Sequence, residues 1–230
     1  MIIVITGSRK GIGRKLCEYY LSKGDIVIGC SRQESDLQNK NYRHYIVDVS
    51  KEESVQDFAS KVRKEFKAVD ILINNAGAAS MNHFLFTPPQ IAKELMELNY
   101  LGAFQCCRAF VNLLKKSQHP RIINFSTIAV PLKLEGELAY AASKSAVEAL
   151  TKGLAKELSQ FKITVNAVGP TPIPTDLIAR VPREKLEALK NQQTIKRFGE
   201  FEDVINVIDF FIHPKSDFIT GQIIYLGGVN

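Results

Sequence analysis

Residues 2–13 read IIVITGSRKGIG, and the order of their parts decides the fold. Ile2 to Thr6 make an apolar run of strand length, and glycines follow at positions 7, 11 and 13. The next stretch, KLCEYYLSKG, repeats its apolar residues at helical spacing and stops at Gly24, a residue suited to end a helix. Three glycines in eight residues also suit a plain turn. Between a strand and a helix they suit a phosphate cradle: the backbone turns tightly, approaches a ligand closely, and the helix start presents free amides and a positive dipole.

Outward from this unit the same alternation continues. DIVIGC (Asp25 to Cys30), HYIVDV (His44 to Val49), VDILINNAG ending at a turn near Gly77, RIINFS, KITVNAV and GQIIYLGG read as further strands. Between them lie amphipathic stretches. One starts near Ser50, where Glu53 three residues on gives a capping-box pattern; Pro88 and Pro89 open another; ELAYAASKSAVEALTKGLAKELSQF is the longest. Apolar strands joined by crossover helices predict an α/β fold: a single doubly wound parallel sheet, Rossmann-like, with helices on both faces. Residues 1–230 are expected to form a single domain with room for a full core.

Composition narrows the function classes. The opening MIIVITGS has too short an apolar run for a secretory segment, and no run is long and uncharged enough to span a bilayer. The cysteines (17, 30, 106 and 107) have no framework spacing, so reduced thiols in a cytoplasmic protein are expected. The four histidines are scattered, and no metal site is expected. The formal charge of +6 raises nucleic acid as a partner, but no aromatic-basic interleaving accompanies it. No nucleic-acid or membrane partner is expected.

In a doubly wound sheet the ligand lies outside the carboxyl ends of the strands, so the residues after each strand matter most. Gly7, Ser8, Arg9, Lys10 and Ile12 follow the first. Ser31 and Arg32 follow the second, where a carboxylate would favour NAD and an arginine accommodates the 2′-phosphate of NADP; the closest acid is Glu34. Arg32 with Arg9 and Lys10 predicts NADP(H), although Arg9 also suits a solvated surface. Asp48 and Val49 follow the third strand and suit the adenine edge, with Asp48 equally suited to helix entry. Asn75 and Gly77 lie in NNAG after the fourth, Ser126 and Thr127 after the fifth, and the proline-rich GPTPIPTD after the sixth.

These motifs, in this order, resemble the short-chain dehydrogenase/reductase family, notably its 3-oxoacyl carrier-protein reductase-like members. The resemblance spans essentially the whole chain: TGxxxGIG at Thr6 to Gly13, NNAG at Asn74 to Gly77, Asn99, Tyr140 with Lys144, and the TGQ…GG ending from Thr220 to Gly228. It implies cofactor binding mainly by residues 1–125, and catalysis and substrate cover by 126–230. It also implies Asn99, Thr127, Tyr140 and Lys144 as the catalytic set, with Tyr140 and Lys144 also touching the cofactor. Ile173 and Thr175 would meet the nicotinamide carboxamide. Thr127 stands where the family usually has serine, with Ser126 as the alternative, and Thr171 where it has glycine. Asn99 would hold a water linked to the lysine; otherwise it is a polar residue at a helix irregularity.

A phenol and an ammonium at i and i+4 share one helix face, and Lys144 together with the oxidised nicotinamide is expected to draw the proton affinity of Tyr140 toward neutral pH. The chain holds a second copy of the spacing, Tyr19 and Lys23, inside the apolar pattern of the first helix, where a packing role is expected. The predicted activity is reduction of a carbonyl to an alcohol on a 3-oxoacyl thioester, ketone or aldehyde, with sugar alcohols as rivals. The alternative is a cofactor-binding regulatory or scaffold protein without turnover. His83, Phe84, Val130, Leu132 and Leu177 are candidates for an apolar pocket and equally for ordinary packing, and residues 172–198 for the pocket's cover. Relatives imply a homodimer or homotetramer through the two long helices.

Overall fold

The computed structural model describes residues 1–174 and 183–229. Among these, seven strands form one parallel sheet: β1 (Ile2–Thr6), β2 (Ile26–Ser31), β3 (Tyr42–Ile46), β4 (Ile71–Asn74), β5 (Arg121–Phe125), β6 (Thr164–Gly169) and β7 (Ile223–Tyr225). Their spatial order is β3-β2-β1-β4-β5-β6-β7. The helices are α1 (Gly11–Ser22), α2 (Glu52–Glu65), α3 (Pro89–Leu95), α4 (Gly102–Leu114), α5 (Ala129–Leu132), α6 (Leu138–Glu157), α7 (Arg183–Gln192) and α8 (Phe201–Ile212). A π-helical turn over Met96–Leu101 joins α3 to α4.

The strands are apolar throughout because both faces are covered. Val4, Leu72, Ile122 and Val165 pack with Phe58 of α2 and Phe110 of α4. Ile3, Ile5, Ile73 and Ile123 point the other way, onto Leu16 and Tyr20 of α1 and Val204 and Phe211 of α8. Each such side chain contributes roughly 1.5–3 kcal/mol by leaving water. The chain runs from central β1 out to the β3 edge, then returns to β4 on the other side of β1. The crevice at this reversal opens above the carboxyl ends of β1 and β4.

Two local expectations are corrected. The third strand is Tyr42–Ile46 rather than 44–49, with Tyr42 paired to Val27 and Ile46 to Ser31. The apolar residues that suggested a later strand serve other ends: Ile46 is exposed at the sheet edge, while Val47 and Val49 pack toward α2 and α4. The capping box at Ser50 and Glu53 is absent. Asp48 instead accepts from both the backbone N–H (3.0 Å) and the hydroxyl (2.7 Å) of Ser50, and α2 starts at Glu52 behind Lys51, which makes no side-chain cap.

Candidate active site

The glycine loop is built as a cradle. Gly7 has φ +68°, a left-handed conformation that favours glycine, and a Cβ on Gly13 would overlap the Gly7 carbonyl and the Asn75 amide. Asn75, from the end of β4, donates from Nδ2 to the carbonyls of Thr6 (2.9 Å) and Gly7 (3.1 Å), and Ala76 N–H donates to Thr6 Oγ1 at 3.0 Å. The loops after β1 and β4 therefore form one piece across the crevice. Ile12 lines the cavity described below.

Of the cations expected beside the ribose, Lys10 and Arg32 are exposed and Arg9 is half-buried. Arg14, which the sequence analysis did not single out, donates to Asp36 and, at 2.8 Å, to Glu18. Asp36, two residues beyond Glu34, is thus the carboxylate that reaches the start of α1. Its hydrogen bond with Arg14 holds its pKa below the usual carboxylate range, and Arg9 adds a weaker pull. Ser31 donates to the Gln33 carbonyl at 2.6 Å. Asp48 Oδ1 accepts from Ser50, and Val49 packs against Gly102.

The predicted catalytic residues gather at the carboxyl ends of β4 and β5. Tyr140 and Lys144 occupy the first two turns of α6 and are both buried. Lys144 Nζ donates to the Phe125 carbonyl at 2.9 Å. Asn99, in the π-helical turn, accepts from Ala78 N–H and donates to the Ala78 carbonyl, both at 2.9 Å, and donates to Ser143 Oγ at 2.9 Å. The helix irregularity expected at Asn99 is this π-helical turn, within which the side chain is buried. Exposed Gly77 lies beside the pair: a Cβ there would stand 2.9 Å from Asn99 Oδ1 and 3.4 Å from Lys144 Nζ. This bare backbone next to buried donors fits a flat nucleotide ring.

Thr127 and Ser126 separate cleanly. Ser126 donates to the buried carboxylate of Glu148, which also accepts from Tyr225 at 2.6 Å. The Thr127 hydroxyl accepts from Ala129 N–H at 3.2 Å and interacts with Tyr140. Ser126 is held by α6, while Thr127 stays with the phenol.

Burial pushes the Tyr140 phenol up to about 12; Thr127 acts against this rise and the Glu137 charge adds to it. Burial also brings Lys144 down to about 8. In the protein without ligand, loss of water dominates at both groups and the phenol stays protonated; the expected lowering of Tyr140 draws on the oxidised nicotinamide as well as on Lys144.

The cavity over this cluster measures about 620 Å³. The expected apolar lining from His83, Phe84, Val130 and Leu132 is corrected. His83 and Phe84 are exposed, and the walls come instead from Met81, Ile128, Leu134 and Leu189, with Glu137 and Lys185 bringing charge. Phe84 projects outward because the short helical turn Phe84–Phe86 stands off the body of the chain. Lys185 and Leu189 belong to α7, within the expected cover. Ile173 is buried on the cavity wall, whereas Thr175 and Leu177 lie outside the described residues. Thr171 is accommodated by glycines: a Cβ on Gly199 would come within 2.7 Å of its Oγ1, and one on Gly227 within 2.9 Å of its Cγ2.

Comparison with known proteins agrees with this architecture. The family model described as short chain dehydrogenase matches residues 1–186, and the chain belongs to that family of oxidoreductases, which act on alcohol and carbonyl groups with a nicotinamide cofactor. The chain is 29% identical over 233 residues to the 3-oxoacyl-[acyl-carrier-protein] reductase FabG of Escherichia coli (strain K12), covering 99% of this chain and 96% of that one. It is 31% identical over 252 residues to NADPH-dependent aldehyde reductase 2, chloroplastic, of Arabidopsis thaliana, covering 99% and 92%. The ligand-free aldohexose dehydrogenase (AldT) of Thermoplasma acidophilum superposes with a TM-score of 0.89 at 25% identity, over 99% of this chain and 93% of that one.

Proposed function

We propose that this protein is an NADP(H)-dependent oxidoreductase that reduces a carbonyl to an alcohol on a 3-oxoacyl thioester, ketone or aldehyde. The observation that carries the proposal is the meeting of Thr127, Tyr140 and Lys144 in one cavity at the carboxyl ends of the strands. When bound, the nicotinamide supplies the hydride. Tyr140, protonated well above neutral pH, donates its hydrogen to the carbonyl oxygen as negative charge develops there. The Thr127 hydroxyl holds that oxygen in line with the phenol. Lys144 adds positive charge one turn along α6 and would hydrogen-bond the cofactor ribose, while Asn99 would hold a water linked to the lysine.

In the same reading, residues 1–230 act as one domain, and Gly7, Ser8, Arg9, Lys10, Ile12, Ser31, Arg32, Asp48, Val49, Asn75, Gly77, Ile173 and Thr175 hold the cofactor. NADP is favoured over NAD by Arg9, Lys10 and Arg32 around the ribose, and by one relative's NADPH-dependent name. A cytoplasmic setting is supported by four free, buried cysteines. Self-association through α4 and α6 is supported by Phe104 of α4 and Leu138 of α6, apolar yet exposed at 37% and 59%.

The experiment is direct. The purified protein is titrated with NADPH and NADH, then offered acetoacetyl thioester, ketones, aldehydes and sugars while loss of reduced nicotinamide is followed by absorbance. Consumption of NADPH with one of the first three classes supports the proposal. Binding without turnover on any of them overturns it in favour of a regulatory protein, and equal use of NADH overturns the NADP assignment.

A further inference from the structure

Tyr42 and His44 sit two residues apart on edge strand β3 and so face the same way. Between them they bridge two loops. The Tyr42 hydroxyl lies 3.1 Å from Ser8 Oγ in the glycine loop and 2.9 Å from His44 Nδ1. On the far side of the ring, His44 Nε2 lies 2.9 Å from the Gln33 carbonyl and 3.3 Å from Ser31 Oγ, both in the loop after β2. A hydroxyl–imidazole line thus runs from the loop after β1 to the loop after β2.

The chemistry gives the line a direction. The Gln33 carbonyl can only accept, so Nε2 carries the hydrogen and Nδ1 is left as an acceptor. With a neutral imidazole, Tyr42 donates to His44 and its oxygen can accept from Ser8, whose single hydrogen also faces the Cys30 carbonyl at 3.3 Å. Burial keeps the Tyr42 phenol up at about 12, so it retains the hydrogen it donates. Space for the line is provided by a missing side chain: a Cβ on Gly29 of β2 would overlap both the Tyr42 hydroxyl and Ser8 Oγ. A phenylalanine at 42 would fill the apolar part of this position equally well. The hydroxyl and the imidazole add fixed separation between two loops, because each hydrogen bond holds one loop at a set distance from β3.

We propose that Tyr42 and His44 are positioning residues that set the spacing of the Ser8 and Ser31–Gln33 loops, and so the fit of the adenosine ribose with its 2′-phosphate. This rests on the NADP reading above, which places Ser8, Arg9, Lys10, Ser31 and Arg32 around that group. Neither residue touches the reacting atoms; both act through the loops they hold.

The test measures binding of adenosine 2′,5′-bisphosphate and of adenosine 5′-monophosphate by calorimetry, with no turnover involved. Tyr42→Phe keeps the buried ring and removes one oxygen; His44→Ala removes the second link; melting curves check that both fold. Expected is about a tenfold loss of bisphosphate affinity in each variant, equivalent to about 1.4 kcal/mol, with the monophosphate changed less than about twofold. In nitrogen-resolved NMR spectra, wild-type His44 should show hydrogen on Nε2, and Tyr42→Phe should shift its Nδ1 resonance. Unchanged bisphosphate binding in both folded variants overturns the proposal, as does an equal loss for both ligands. A wild-type protein that prefers the monophosphate overturns the NADP reading instead, and the positioning role then stands or falls on the same tenfold loss measured with that ligand.

Discussion

The two Tyr-x-x-x-Lys stretches have the same spacing on the same kind of crossover helix, and they do opposite things. Tyr140 and Lys144 lie in the first two turns of α6, which follows β5 and the short α5. Tyr19 lies near the end of α1, and Lys23 is the residue at its C-terminal cap. In a parallel sheet a crossover helix runs back against its strands, so its first turn lies at the carboxyl ends and its last turn at the amino ends. Lys144 is buried and donates to a backbone carbonyl, whereas Lys23 is exposed and lies 5.0 Å over the Tyr19 ring. Tyr140 faces the cavity, while Tyr19 is half-buried and donates to Asp209 of α8, which also accepts from Tyr20 at 3.0 Å. Tyr19 is therefore a packing residue with a hydrogen-bonded tip. Spacing defines which side chains meet; place along the helix defines what they meet.

The widest separation should appear in turnover. Tyr140→Phe is expected to lower kcat roughly a hundred- to ten-thousandfold, and Tyr19→Phe to leave it within about twofold, read from nicotinamide absorbance under the same conditions. Equal losses would break the comparison.

Next in size is a stability effect of the buried lysine. Its pKa falls from 10.5 to about 8, so the folded state disfavours the ammonium, at a cost of about 3 kcal/mol. That cost is fully present below pH 8, and it fades as the pH rises toward 10.5, where the unfolded chain also loses the proton. Lys144→Met should therefore lose activity yet resist urea better than wild type at neutral pH, and the gain should shrink at alkaline pH. Lys23→Met, at an exposed site, should show no such pH-dependent gain.

Asn99→Ala removes a side chain that satisfies the Ala78 backbone and Ser143, and should cost roughly 1–3 kcal/mol in denaturant unfolding together with activity. The smallest effect is expected at the other pair's acceptor. Asp209→Asn weakens the bonds from Tyr19 and Tyr20 and should cost about 1 kcal/mol in stability, with kcat unchanged. A drop in kcat there would mean that the two ends of the sheet are coupled.

Much of this was legible in the chain. The strand–glycine–helix unit and the alternation of strands and helices follow from local pattern, while Asn99, Thr127, Tyr140 and Lys144 as a catalytic set are what the family resemblance implies. Other features were not. Tyr42 and His44 look like ordinary strand residues until β3 pairs with β2 and brings Ser8 and Gln33 within reach. Asp36 gains a partner in Arg14 only when the loop after β2 folds against α1. Glu148 of α6 carries no signal in the chain, yet it is buried and accepts from Ser126, after β5, and Tyr225 of β7. Ser50 was misread because Asp48 competes for its hydroxyl.

The sequence by itself determined which residues form strands and helices and which loops carry small or charged residues, because periodicity and glycine conformation act over a few neighbours. Only the tertiary structure decided that Glu148 takes the Ser126 hydroxyl while Thr127 stays with the phenol, and that burial dominates the acid strengths of Tyr140 and Lys144. Those outcomes depend on loss of water and on partners distant in sequence, and both arise only once the sheet has closed around them.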